Sequence, residues 1–157
     1  LKEMAGAIGY ENARTLVASG NLVFDTKKTP DIKLETTLET AIDKTFNLFS
    51  EVMVRNPDEW TAIIKANPFP KKAKEDPAHL VCLVCKTAPD AKAIDTWLEG
   101  FCAKYDKGEK LKIVGREIYI DYGDSIGESK LILPKKLVTG TARNWNTVLK
   151  LETMLHD

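Results

Sequence analysis

The run Leu80-Val81-Cys82-Leu83-Val84-Cys85 decides how the rest of the chain is read. It is apolar without interruption, which is the pattern of a short strand covered on both faces. Toward the C-terminus, Asp90 opens a helix that repeats Ile94, Trp97, Leu98, Phe101, Cys102 and Tyr105 at helical spacing. Lys110 to Val114 and Glu117 to Tyr122 then read as a hairpin turning at Gly115-Arg116. Ser129 to Val138 is a further helical candidate, with Pro134 near its start or kinking it. Asn144 to Leu155 closes the chain as a helix, Asn144 its N-cap and Trp145, Val148 and Leu149 its inward face.

Toward the N-terminus the same rhythm appears. Lys2 to Ile8 reads as the end of an amphipathic helix closed by Gly9. Ala13 to Ala18 and Leu22 to Asp25 are strand-like and flank Ser19-Gly20-Asn21, a pair of residue types that permits a tight turn. Pro30-Asp31 opens a helix carrying Leu34, Leu38, Ile42 and Phe46, and Val52-Met53-Val54 reads as another strand. Pro57-Asp58-Glu59 opens a short helix with Trp60, Ile63 and Ile64 on one side, stopped at Asn67-Pro68. Lys71 to Pro77 is charged and proline-bounded, and is the expected linker.

The order is helix, hairpin, helix, strand, then strand, helix, hairpin, helix. One strand placed before Leu1 would complete a βαββαβ unit, and the second half is a related unit with its last strand obscured. The expected fold is therefore α+β, with two ferredoxin-like halves of antiparallel sheet covered by helices. The halves are expected at 1–70 and 78–157, joined by the 71–77 linker. The first half is expected to lack its opening strand, because the chain starts at Leu1 directly in a helical pattern.

Composition narrows the function classes. The chain is 43% apolar and carries 23 basic against 23 acidic residues, so it is too apolar for general disorder and has no net charge to attract nucleic acid or anionic membrane. No apolar run reaches the roughly 20 residues of a membrane span. Three cysteines do not make a disulfide framework, and a reducing, cytoplasmic setting is the expectation. Cys82 and Cys85 spell C-x-x-C, but residues three apart on a strand point to opposite faces, so they are expected to be core thiols rather than metal ligands. No phosphate-binding loop, dinucleotide fingerprint or zinc pattern occurs, and no metal or cofactor is expected.

Four segments together carry a resemblance: Arg14-Thr15-Leu16-Val17-Ala18-Ser19-Gly20-Asn21-Leu22-Val23-Phe24, Asn67-Pro68-Phe69, Gly127-Glu128-Ser129-Lys130-Leu131, and the long string from Gly140 to Leu151. In these the chain resembles the bacterial domain of unknown function 1697 family. The resemblance implies a duplicated ferredoxin-like α+β protein with an N-terminal strand and a glycine-containing loop before the point where this chain begins. It implies almost nothing about activity.

The best site candidate is Thr141-Ala142-Arg143-Asn144-Trp145-Asn146-Thr147. With Asn144 as cap, the first-turn N–H groups of the closing helix carry partial positive charge, and Arg143 stands just ahead of them. Lys130, Lys135 and Lys136 precede it, and no acidic residue occurs from Ser129 to Leu151. Arg143, Asn144, Asn146 and Lys130 are thus candidate ligands for a small phosphate- or carboxylate-bearing molecule held between the halves, joined by Ser19 and Asn21 at the first turn. The competing reading is a helix cap, a core tryptophan and a structural ion pair. His79 and His156 are poorly placed for a Ser/His/Asp arrangement. Asp121, Asp124 and Glu128 read as solvated loop charges, and Asn67-Pro68-Phe69-Pro70 as a helix stop. Aromatic residues on the strands are too few for an RNA platform, so nucleic acid is disfavoured. The alternatives to a binding protein are an enzyme acting on a phosphorylated or carboxylated small molecule and a protein-interaction module using open sheet edges.

Overall fold

The computed structural model describes residues 1–16 and 20–157. By contacts the chain divides into two units, Leu1–Pro57 with Leu151–Asp157, and Asp58–Lys150.

In the first unit, α1 (Lys2–Ala7) buries Met4 and Ala5. It is followed by β1 (Glu11–Leu16) and β2 (Asn21–Asp25), an antiparallel pair. Glu11 stands opposite Asp25 and Arg14 opposite Val23, so Asn12 and Ala13 together face Phe24 in a bulge. Next, α2 (Asp31–Phe46) buries Leu34, Leu38, Ala41 and Ile42 against α1 and the hairpin. Phe46, expected on that face, is 45% exposed, because Asn47 takes a left-handed conformation and ends the helix beyond the core.

Val52-Met53-Val54 does not form the expected strand. Its valines do pack on the core of Met4, Leu38, Ala41 and Ile42. Its amides, however, are taken by α2 side chains: Val52 N–H donates to Glu39 and Val54 N–H to Glu35, each at 3.0 Å. The i, i+4 spacing of two helical glutamates matches the repeat of alternate residues in an extended segment, so carboxylates replace a neighbouring strand.

The second unit starts with α3 (Pro57–Lys65) and α4 (Pro70–Glu75), then a short 3-10 turn over Pro77–His79. Within 71–77, the expected linker, residues 71–75 belong to α4 and Pro77 opens the 3-10 turn. The Lys72 ammonium donates to Asp76 and to Gly123 O at 2.7 Å and lies 3.4 Å from Asp121. Asp121 is accordingly an ion-paired residue and not a solvated loop charge. β3 (Leu80–Cys85), α5 (Ala91–Tyr105), β4 (Lys110–Val114) and β5 (Glu117–Asp121) follow as read, with Asp90 capping α5 through Ala93 N–H at 3.1 Å.

Ser129 to Val138 is not a helix; Pro134 instead begins a turn closed by Leu137 N–H and Val138 N–H on its carbonyl. A strand not read from the sequence, β6 (Gly140–Asn144), then pairs with β3 and leads straight into α6 (Trp145–Leu155). The four strands are all antiparallel, in the order β4-β5-β3-β6. β3 is an inner strand, which is why its residues need to be apolar on both faces. Cys85 packs with Ile94, Phe101, Ile118 and Ile120 on the α5 side, whereas Cys82 stands opposite Tyr119 and Arg143 on the other face. Trp145 and Val148 of α6 are buried, but Leu149 is 40% exposed and Leu151 takes the inward position. The chain is an α+β protein with two antiparallel sheets and covering helices.

Candidate functional site

The candidate residues meet where β6 becomes α6. Register pairs Thr141 with Val84 and Arg143 with Cys82, so both β6 side chains lie on the face of Cys82 and Tyr119. That face is built mostly from α3 and α6. Tyr119 is fully buried; its hydroxyl donates to Ile63 O at 2.6 Å, its ring lies 6.3 Å from that of Trp145, and burial pushes its ionisation well above the usual phenol range. Trp60 Nε1–H donates to Val148 O at 3.1 Å, joining α3 to α6. A stiff wall therefore stands behind the strand end.

Arg143 is half-buried on this wall. Its guanidinium donates to the Thr141 hydroxyl and, at 2.9 Å, to Ala142 O. Burial pulls its ionisation down from the ordinary arginine value, since desolvation penalises the charged form. Asn144 caps α6 as expected: its Oδ1 accepts the Asn146 N–H at 3.0 Å, and its Nδ2 donates to Ala78 O at 2.7 Å. Both ends of that amide thus hold the junction together. Asn146 is exposed in the first turn of α6, which contains no acidic residue.

Arg143, Asn144 and Asn146 all lie at the β6–α6 junction, but register puts Arg143 opposite Cys82 on one face of the sheet and Asn144 opposite Val81 on the other. Lys130 lies elsewhere, its ammonium 4.9 Å from the Tyr105 ring of α5. Asn21 belongs to the first unit, buried opposite Leu16 and donating to its carbonyl at 3.4 Å. Ser19 lies outside the described residues. Thr141 was missed from sequence as the residue that orients Arg143; the signal was the T-x-R spacing, which places both on one strand face once the segment is known to be extended.

Other polar groups act within the fold. His79 Nδ1 faces both Asp76 oxygens at 2.8 Å, and Asp76 also accepts from Lys72. The Ser129 hydroxyl donates to Glu109 at 2.7 Å, Phe69 N–H donates to Asn67 Oδ1 at 3.0 Å, and Lys112 lies 5.7 Å from the Phe69 ring centroid. Among the described residues no three His, Cys, Asp or Glu converge to hold a metal ion. No helix among them is long and apolar enough to cross a membrane.

The geometry defines an α+β protein whose candidate site is a basic strand-to-helix junction. The chain belongs to a family of proteins of unknown function, DUF1697, whose sequence model matches residues 1–119. That match ends before Gly127–Leu131 and Gly140–Leu151, the two later segments of the resemblance. Structural likeness runs further. A conserved bacterial protein, SP0830 from Streptococcus pneumoniae, superposes with a TM-score of 0.68 over 98% of this chain and 86% of its own, at 19% identity. At that identity the likeness is one of fold. No curated protein matches the chain.

Proposed function

We propose that the protein binds a small anion, a phosphate or carboxylate group, at the β6–α6 junction. The observation that carries this reading is Arg143. Its guanidinium is half-buried, oriented by Thr141, and desolvated enough to lower its ionisation. An anion placed there offsets that desolvation with charge-assisted, two-point hydrogen bonding of the kind arginine's planar fork provides. No acidic residue occurs from Ser129 to Leu151, although register puts the buried Glu117 across Val84 from Thr141 on the same face, and Asn146 stands exposed in the first turn of α6.

The finer fold reading belongs with this proposal. In the second unit β3 lies between β5 and β6 with β4 outside, the strand order of a ferredoxin-like unit. In the first unit, the antiparallel β1–β2 hairpin packed with α1 and α2 supports a related half. A reducing, cytoplasmic setting suits Cys82, Cys85 and Cys102, none of which forms a disulfide.

The test is calorimetric titration with inorganic phosphate and with succinate at fixed ionic strength, repeated on Arg143→Ala. Binding in the parent whose stoichiometry falls by one site in the variant, with the unfolding midpoint held, supports the reading. An unchanged stoichiometry in folded Arg143→Ala, with a large stability loss, overturns it and makes Arg143 a structural residue.

A further inference from the structure

A second feature stands apart from the β6–α6 junction and lies wholly in the first unit. Lys2 and Gly6 of α1, Tyr10, and Asn12, Ala13 and Arg14 of β1 line an open concavity of about 460 Å³. That volume falls within the range of small-molecule sites, roughly 300–1,000 Å³. Two of the lining residues, Lys2 and Arg14, are cationic, and the carboxylates beside the lining, Asp25 on Asn12 and Asp157 on Arg14, are each held by it.

Three local features build the concavity. Gly6 sits inside α1, where glycine is among the poorest helix residues, and no packing demand accounts for it: a Cβ there would meet nothing within 4 Å. The bulge at Asn12-Ala13 breaks strand alternation, so that Glu11 and Arg14, three apart in sequence, fall on one face of the pair. Asn12 at the bulge has a left-handed backbone (φ 50°), which asparagine adopts more readily than other non-glycine residues. The surrounding groups are fixed. The Tyr10 ring stacks on Phe24 with centroids 4.4 Å apart, and the Asn12 amide donates to Asp25 at 2.7 Å.

Arg14 is anchored yet retains capacity. One guanidinium nitrogen donates to Met154 O at 2.6 Å, and the other lies 3.7 Å from the Asp157 carboxylate, a pair with both side chains substantially exposed. Exposed ion pairs of this length contribute little, so a ligand anion can replace Asp157 at small cost. Lys2 of α1, which also lines the concavity, is exposed.

We propose that this concavity is a binding site for a small oxyanion-bearing molecule, with Lys2 and Arg14 supplying charge and Gly6 leaving the space the ligand occupies. The reading is independent of the proposal for Arg143. Its test is an amide-resolved NMR titration of the whole chain with inorganic phosphate and, separately, with succinate, at constant ionic strength; the two arms separate phosphate from carboxylate recognition.

Saturable shifts are expected at residues 2, 6, 10 and 12–14, and they should persist in Arg143→Ala. Lys2→Ala, which removes an exposed group, should weaken binding about tenfold, the ordinary worth of one charge-assisted hydrogen bond. Gly6→Leu should intrude into the concavity and weaken binding about tenfold or more while leaving the unfolding midpoint unchanged or higher, because leucine is the better helix former. Undiminished affinity in Gly6→Leu, or shifts that do not saturate, would overturn the proposal. Arg14→Gln is the weaker probe, since it also releases Met154 O.

Discussion

Gly140 of β6 offers a sharp test of the second sheet. Replacing glycine by alanine at an ordinary backbone conformation stabilises a protein by about 0.4–1 kcal/mol, because the unfolded chain loses freedom. Gly140 has no positive φ to forbid alanine, so propensity alone predicts a gain. Its Cβ, however, would lie 2.9 Å from Val84 O, 3.2 Å from Leu83 Cγ and 3.3 Å from Cys85 Cα. Two of these three atoms are backbone of the inner strand β3, which is hydrogen-bonded on both sides and cannot yield cheaply. Overpacking of this kind costs about 1–3 kcal/mol. The net expectation for Gly140→Ala is a loss of about 1–2 kcal/mol, opposite in sign to the ordinary effect. With a urea m-value of about 1–3 kcal/mol/M, the midpoint falls by roughly 1 M. All three tryptophans, Trp60, Trp97 and Trp145, lie within Asp58–Lys150, so their fluorescence reports on the affected unit. The companion change Gly6→Ala meets no atom and should stabilise by about 0.5–1 kcal/mol, followed by far-UV circular dichroism. If Gly140→Ala were as stable as the parent, β6 would not lie against β3 as described.

Two further predictions concern carboxylates. Glu35 is 4% exposed and its Oε1 accepts the Val54 N–H, so Glu35→Ala orphans a part-buried donor and should cost about 1–3 kcal/mol in chemical denaturation, while Glu35→Gln keeps an acceptor and should cost far less. Equal losses in both would show that charge, not the hydrogen bond, holds the segment. Asp76 has its ionisation lowered from 3.8 by the hydrogen bond from Lys72, then by that from His79. Glu109 is lowered from 4.5 although burial pulls it upward, because the Ser129 hydroxyl and the Lys107 amide outweigh that pull. A depressed carboxylate contributes stability above its unfolded value and loses it as pH falls through its folded value. The unfolding midpoint should therefore hold from neutrality to about pH 4.5 and fall below it, less steeply in Asp76→Asn; an identical acid profile in that variant would refute the assignment.

Which elements were legible in the sequence follows from where each one's stability resides. Leu80–Cys85 announces itself because an inner strand with both faces covered has to be apolar throughout, and Asp90 and Asn144 announce helices because their side chains cap them. β6 is silent. Gly-Thr-Ala-Arg-Asn has no apolar alternation, because its pairing depends on a glycine fitting under a carbonyl and not on buried side chains. Val52-Met53-Val54 errs the other way: its valines pack partly buried against the core as a strand's would, but its amides belong to Glu39 and Glu35, and periodicity reads side chains and not amide partners. The site shows the same division. Arg143 and Asn144 stood out through charge pattern and cap chemistry, whereas nothing in the spacing of Lys130 indicated that it would reach the Tyr105 ring.

The silence of β6 bears on the proposed function. A strand of two small residues, a threonine, an arginine and an asparagine gains little by burial, so other groups hold it on the sheet. Gly140 lets it approach β3, Asn144 ties its end to Ala78 and caps α6, and Trp145 anchors the helix against Tyr119. Those contacts fix the backbone on either side of Arg143, whose guanidinium bonds Thr141 and Ala142 O. Positioning and binding are thereby carried by different residues. On the reading proposed for this junction, Gly140→Ala should weaken anion binding by displacing Arg143 without removing any ligand-contacting group, and Thr141→Val should weaken binding with little change in stability. If Thr141→Val bound phosphate as tightly as the parent, the orientation imposed on Arg143 would have no part in recognition.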